Sequence, residues 1–465
     1  MSVIIHFGTD GWRARTDGDF TNEQVIRIAD AVGGLWSQTG HNHVYVGFDT
    51  RPQAHEMAHL AAEVLAGYGL TAILSDRALP TPMLSWSCAQ DPRSAGALMV
   101  TGSHHPMGYL GIKLRSADGG AVDDEFYRRL ESQIAQDPSS ARGIPQAHDL
   151  TRAYLAHITT LVDVKRIAAA QLSAICDPMY GAARGYLAQV LRDLGVQVSE
   201  IHAQEEPGWE DVRPEPTEPW VDDCERAVVG QKTNIGLVVD GDADRMGAVD
   251  NKGRFISSQT ILALLLRHLV KHRKQQGRLV VNLSTSMLPR RVAADLGCQV
   301  TVKPIGFKYI CEEMRKGDVL IGGEEAGGLG VPFHLCERDA IVCSLLLVEM
   351  LAWEQKSLAE LIDELQTQYG AMSYARRDLR LPPETIEMLE TKLPGLNPAQ
   401  VAGKVPQQVS HLDGLRLDFD NDAWLLLRPS GTEAVVRVCA EAPNVQERDA
   451  LLDAGSDIAR GALLL

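Results

Sequence analysis

The chain has 465 residues, 45% of them hydrophobic and 23% charged, an ordinary globular composition too long for one core; at about 100–200 residues per domain it divides into three or four. Lys and Arg number 45 against 61 Asp and Glu, a formal net charge of −16, which argues against nucleic acid, a partner that wants a basic stripe, and leaves room for a local basic cluster that takes a small anion. Apolar runs too short or interrupted for a membrane span, a start without signal-peptide character, and 8 Cys without a CxxC pair predict a cytoplasmic protein with free thiols and no membrane partner.

Helical and strand signals then alternate. "FTNEQVIRIADAVGGLW" (20–36) opens on a capping box, Thr21 with Gln24, and sets Val25, Ile28, Ala29 and Val32 on one helical face. "HVYVGFD" (43–49) and "TAILSD" (71–76) read as strands around the helical "QAHEMAHLAAEVLAGYG" (53–69). The same rhythm recurs at "LSAICD" (172–177), "VQVSEI" (196–201), "IGLVVD" (235–240), "RLVVNLS" (278–284) and "VLIGG" (319–323). It implies α/β layers. After "QYGAMS" (368–373) come the closely spaced strands "GLRLDF" (414–419), "AWLLLR" (423–428) and "AVVRVCAEA" (434–442), which predict a smaller α+β domain. Polar breaks at 135–149, 250–254 and 368–373 divide the chain into units 1–149, 150–253, 254–370 and 371–465.

Four segments can carry chemistry. "TGSHHPMGYLGIK" (101–113) places Ser103, His104, His105 and Lys113 on one glycine-rich loop. This is either a polar turn open to water or a nucleophile or phosphate carrier among basic groups. "DGDADR" (240–245) ends a strand-like run with Asp240, Asp242 and Asp244 on one side, followed by Arg245. Unpaired, those carboxylates repel; a hard divalent cation removes the conflict, and an all-oxygen set suits Mg²⁺. An EF-hand is excluded, since Arg245 and Asn251 stand where it needs Gly and Glu. "RPSGTEAVVR" (428–437) offers Arg428, Ser430, Gly431, Thr432 and Arg437 as an anion cradle, or as a polar hairpin turn. "GGEEAGG" (322–328) brings Glu324 and Glu325, able to accept from sugar hydroxyls. Lys303, Lys308 and Arg13 stand on weaker glycine or proline turns. One phosphate site suits a phosphatase; two suit a substrate that carries phosphate at either of two positions.

Together these residues resemble the α-D-phosphohexomutase family of phosphoglucomutases and phosphomannomutases. "TGSHHP" is similar to the phosphoserine loop T-A-S-H-N-P, "DGDADR" to the metal loop, "GEEAGG" to the sugar loop and "RPSGTE" to the phosphate loop, all in family order. The resemblance implies four domains around a central cleft: three related α/β units with mixed sheets and a smaller C-terminal α+β domain. It implies that Ser103 is phosphorylated beside a basic His104, and that Lys113 transfers a proton or contacts phosphate. Asp240, Asp242 and Asp244 would bind Mg²⁺ with a phosphoserine oxygen, and Arg13 and Arg245 would steady the phosphoryl group. Glu324, Lys308 and His334 would contact the sugar; Arg428, Ser430, Gly431, Thr432 and Arg437 would hold the non-reacting phosphate. The implied activity is an intramolecular phosphotransferase that interconverts hexose 1- and 6-phosphates, with glucose 1,6-bisphosphate as activator and intermediate. Glucose phosphate is the expected substrate, ahead of a phosphomannomutase or dual-specificity enzyme and of a phosphoserine-dependent phosphatase. Two departures stand out: Gly102 replaces Ala, expected to be harmless, and Ala326 replaces a hydroxyl-donating Ser.

Overall fold

The computed structural model describes residues 3–204, 213–430 and 435–461. Strand and helix signals are realised as three sheets built on one repeated kernel. In the first, Thr71–Ser75, His43–Phe48 and Ser94–Val100 lie side by side in parallel, and Tyr109–Ser116 adds antiparallel to the last of them. In the second, Gln197–Glu200, Ser173–Asp177 and Ile235–Val239 are parallel and Met246–Asp250 antiparallel. The third repeats this with Val300–Lys303, Arg278–Asn282, Val319–Gly323 and the antiparallel Leu329–Gly330. Outer strands extend two of the sheets: Trp12–Arg15 and Gln146–His148 on the first, Phe255–Ile256 on the second. The expected mixed sheets in related units are therefore present.

The inner parallel strands are covered on both faces, which is why they read as unbroken apolar runs; every residue of Ser94–Val100, Ile235–Val239 and Val319–Gly323 is buried. In each kernel the loop from third to fourth strand leaves at the carboxyl end of a parallel strand, where α/β sheets present ligand-binding groups. Those three loops carry Ser103, the three aspartates and Glu324. The motifs thus stand at equivalent places in three copies of one design.

Helix Asn22–Trp36 buries Val25, Ile28, Ala29 and Val32, as its spacing demands. The expected capping box at its start does not form, because the Thr21 hydroxyl donates to the Gln24 side chain and leaves the helix N–H groups uncapped by it. A capping box does close at Ser357 and Glu360, starting helix Leu358–Tyr369. Residues 109–113 also differ from expectation: they belong to strand Tyr109–Ser116, so Lys113 projects from a sheet and not from the serine loop.

The fourth sheet is wholly antiparallel, in the order Ser373–Arg380, Val435–Ala442, Trp424–Pro429, Leu415–Asp418 and Gln408–Ser410. Helix Val445–Ala459 packs on it. This sheet meets the third unit through Trp424, Leu426, Cys439 and Leu283. At that seam the buried Glu441 carboxylate accepts from Met287 N at 2.8 Å, from Trp424 Nε1 at 2.9 Å and from Ser286 Oγ. Glu441→Ala strands these donors, at about 1–3 kcal/mol for each that stays unsatisfied. Scanning calorimetry should show the fourth unit melting earlier than in the parent, and an unchanged profile would refute the seam.

Candidate active site

Ser103 sits just beyond the end of strand Ser94–Val100, fully buried, with φ +50°. Its backbone N–H donates to Thr101 Oγ1 at 2.8 Å, and Thr101 Oγ1 donates to Asp49 Oδ2 at 2.7 Å. Ser103 Oγ donates to Asp240 Oδ2 at 3.2 Å and lies 3.4 Å from His104 Nδ1. Burial, followed by the charges of Arg245, His105 and Arg13, pushes the His104 imidazole well below its ordinary pKa, so it stays neutral at pH 7.

Asp240, Asp242 and Asp244 are fully buried, and one oxygen from each lies within 4.8 Å of the others. Asp240 Oδ1 accepts from the backbone N–H groups of Asp244 and Arg245, both at 3.0 Å. Burial and then the neighbouring charges of Asp242 and Asp244 drive the Asp240 pKa far above the usual carboxylate range. Asp242 goes the other way: burial raises it, but the Lys113 ammonium and the Thr81 hydroxyl, which both bind its carboxylate, together take it below that range. Asp242 Oδ1 and Asp244 Oδ1 are buried without a hydrogen-bond partner among the described residues. Two orphaned carboxylate oxygens beside the Asp240–Ser103 contact are the donor set a hard divalent cation takes. The residues fit the metal the motif implied.

Lys113 lies within this cluster. Its Nζ is 3.0 Å from Asp10 Oδ2, 2.6 Å from Asp242 Oδ2 and 2.5 Å from Asp244 Oδ2. Burial favours the neutral amine, and the three carboxylates overcome it and raise the pKa. Three further charged groups, Arg338 and Arg115 buried and Asp10 half-buried, escaped sequence reasoning. Arg338 binds Asp10, Asp244 Oδ2 at 2.9 Å and Glu324 Oε1 at 2.9 Å. Arg115 reaches Asp10 Oδ1 at 3.1 Å and Glu337 Oε2 at 3.5 Å. Asp10 therefore ties the first unit to the third, and its partners Lys113 and Arg338 reach on to the metal loop. The signals available were Asp10 inside "FGTDGWRA" and the charged triplet of "CERDA" (336–340) ahead of an apolar helix.

Arg13 and Arg245 border the same cluster, 3.6 Å from Asp10 and 3.8 Å from Asp244, with buried Nε atoms that have no hydrogen-bond partner among the described residues. They suit a phosphoryl oxygen. Backbone bridging of Arg245 to Gly328 joins the metal loop to the sugar loop. There Glu324 is held by Arg338, and burial pushes its carboxyl up to about 7 against the pull of Arg338 and Arg245. Glu325 Oε2 accepts from Asn282 Nδ2 at 3.0 Å and Ser284 Oγ at 2.5 Å.

Two expected sugar contacts are engaged elsewhere. His334 is buried with both ring nitrogens taken, by Asp339 at 2.9 Å and by His157 at 3.1 Å, so it fastens the third unit to the second. Lys308 pairs with Asp124 of the first unit, which also accepts from Tyr309 Oη at 3.1 Å. Arg428 pairs with Asp413 at 2.8 Å, and Asp413 accepts from Ile305 N at 2.9 Å across the seam to the third unit. Arg428, Arg437 and Asp378 are neighbours in register, on one face of the fourth sheet. Ser430 is buried at the end of that strand pair, its N–H donating to Val435 O at 2.8 Å. Gly431 and Thr432 lie outside the described residues.

If the triad holds a cation, Asp242→Asn must weaken Mn²⁺ binding by more than the about 10- to 100-fold that loss of an outer partner costs. Electron paramagnetic resonance of the free ion measures this without turnover. Equal affinity in parent and variant would reduce the triad to an acidic loop.

The chain matches the phosphoglucomutase/phosphomannomutase alpha/beta/alpha domains I, II and III over residues 5–141, 152–253 and 257–369, and the C-terminal domain over 396–455. It is 29% identical over 466 residues to a phosphoglucomutase/phosphomannomutase of Thermococcus kodakarensis, covering 98% of this chain and 99% of that one. To a probable phosphoglucosamine mutase of Methanopyrus kandleri it is 29% identical over 458 residues, covering 98% of each. A solved structure from Thermus thermophilus, provisionally described as a phosphomannomutase, superposes with a TM-score of 0.88 at 34% identity, covering 99% of this chain and 100% of that one. With four matched domains in order around the Ser103 and aspartate loops, the chain belongs to the α-D-phosphohexomutase family, whose members are mutase isomerases.

Proposed function

We propose that the protein interconverts hexose 1-phosphate and hexose 6-phosphate through phospho-Ser103 and a hexose 1,6-bisphosphate, with glucose phosphate as its substrate. The observation that carries this reading is the contact of Ser103 Oγ with Asp240 inside a buried aspartate triad. A buried serine hydroxyl against three clustered carboxylates supports a phosphoryl carrier beside a cation. Asp240, Asp242 and Asp244 would hold Mg²⁺, which when bound would supply Lewis-acid neutralisation of the phosphoryl oxygens. The chain's own groups do the rest. Arg13 and Arg245 face the transferring group with their unused donors. A sugar hydroxyl oxygen bonds to phosphorus as the Ser103 Oγ–P bond breaks. Of the two proton acceptors the sequence left open, His104 is the neutral group beside Oγ, while Lys113 is bound among three carboxylates. His104 takes the hydroxyl proton and returns one to the sugar oxygen when the bisphosphate gives its second phosphate back to Ser103.

The non-reacting phosphate is held by Arg428, Ser430, Gly431, Thr432 and Arg437 of the fourth unit, and Glu324 accepts from the sugar. The four units divide at 149, 253 and 370. A second reading, glucosamine phosphate, is favoured by the names of relatives such as the Methanopyrus kandleri protein. Parallel mutase assays on glucose, mannose and glucosamine 1-phosphates decide among them: the fastest kcat/KM names the substrate, and glucosamine at the head would replace glucose. Ser103→Ala should abolish turnover of all three, and near-parental activity would overturn the mechanism.

Arg437→Ala tests the second phosphate site. Loss of a charge-assisted contact of about 1.5–3 kcal/mol weakens monophosphate binding roughly 10- to 100-fold. Bisphosphate should then escape before the second transfer, and added bisphosphate should restore part of the rate. Steady release of inorganic phosphate without such rescue would mark a phosphatase instead.

A further inference from the structure

Arg51 leaves the first parallel strand on the loop "DTRPQ" (49–53) and is buried, its side chain 1% exposed. Nothing in the metal, sugar or phosphate motifs uses it. Its guanidinium gathers carbonyls of the serine loop: Nη1 donates to Pro106 O at 2.7 Å and Tyr109 O at 3.1 Å, Nη2 to Ser103 O at 2.8 Å and to His105 O. Asp49, 3.4 Å from Nε, also accepts from Thr101 Oγ1 and from Gly102 N at 3.0 Å. One Asp–Arg pair thus fixes the backbone on both sides of Ser103.

Ser103 needs that hold, because its φ of +50° is a conformation that residues with a side chain avoid. Gly102 is the matching half. A Cβ there would lie 2.4 Å from Arg51 Cζ and Nε and 2.6 Å from Nη1. A loose side-chain end would swing away cheaply. This one has its Nη donors committed to carbonyls, so yielding means giving up the bonds that hold Ser103.

We propose that Arg51 is a positioning residue for phosphoryl transfer, its guanidinium seated on Gly102 and holding the Ser103 carbonyl so that Oγ faces Asp240. Gly102 is then a requirement of this loop and not a harmless exchange for Ala. The proposal rests on Ser103 being the phosphoryl carrier.

The test compares parent, Gly102→Ala, Arg51→Lys and the double variant. It follows loading of Ser103 from glucose 1,6-bisphosphate by quenched intact mass, steady-state kinetics and thermal unfolding. Gly102→Ala should lower both the loading rate and kcat about 10- to 100-fold, the cost of a small misplacement of a reacting group. KM should stay within about threefold, since the sugar and distal phosphate contacts are untouched. The double variant should be no slower than Arg51→Lys, because the added methyl then has no guanidinium to displace. Parental kcat in Gly102→Ala, or penalties that multiply in the double variant, overturn the proposal. If Arg51→Lys does not fold, Gly102→Ala decides alone: slow loading at an unchanged unfolding midpoint supports it, and parental loading refutes it. A parent enzyme that never loads Ser103 overturns the underlying mutase reading instead.

Discussion

Three carboxylates, Asp240, Asp242 and Asp244, converge in the interior at the end of one strand, and the rest of the site is arranged around their mutual repulsion. Buried like charges at this separation cannot all ionise unaided. Lys113 and Arg338 bring positive charge from the first and third units, and Arg115 adds more through Asp10. The units are thereby bound to each other by the same charges that prepare the site. Two aspartate oxygens remain without a partner among the described residues, and they are the ones a divalent cation would take.

That arrangement follows from repetition in the fold. Each α/β unit sends one loop from its third parallel strand to an antiparallel neighbour. When three such units pack together, three equivalent loops meet, and each supplies a different group: the Ser103 hydroxyl, the three clustered aspartates and the Glu324 carboxylate. Tight backbone contacts keep them together. A Cβ on Gly241 of the metal loop would sit 2.4 Å from the Ser103 carbonyl, so the two loops touch through bare backbone. The fourth sheet, antiparallel throughout, stands outside this repeat and adds a face on which Arg428 and Arg437 lie beside Asp378.

Much of this was legible in the chain. Strand positions such as 43–49, 235–240 and 319–323 follow from apolar runs that parallel strands require. Ser103 and the three aspartates stand out because their spacing is itself the chemistry. What stayed hidden is what depends on partners far away in sequence. Asp10 and Arg338 are 328 residues apart, and neither carries a local signature of the other. His334 and Lys308 look like cleft residues by position, yet His157 and Asp124 claim them, because a buried imidazole or ammonium must find partners wherever the packing offers them. Lys113 reads as part of a loop until strand pairing with Met99 is known.

The central claim is that Ser103 passes a phosphoryl group back to sugar and not to water. The most direct measurement loads the enzyme with radiolabel from glucose 1,6-bisphosphate, maps the labelled residue, and then chases with unlabelled hexose monophosphate. The account predicts label on Ser103 alone, moving into hexose bisphosphate and then monophosphate. Label on another residue, or its release as inorganic phosphate at the rate of the chase, would contradict it.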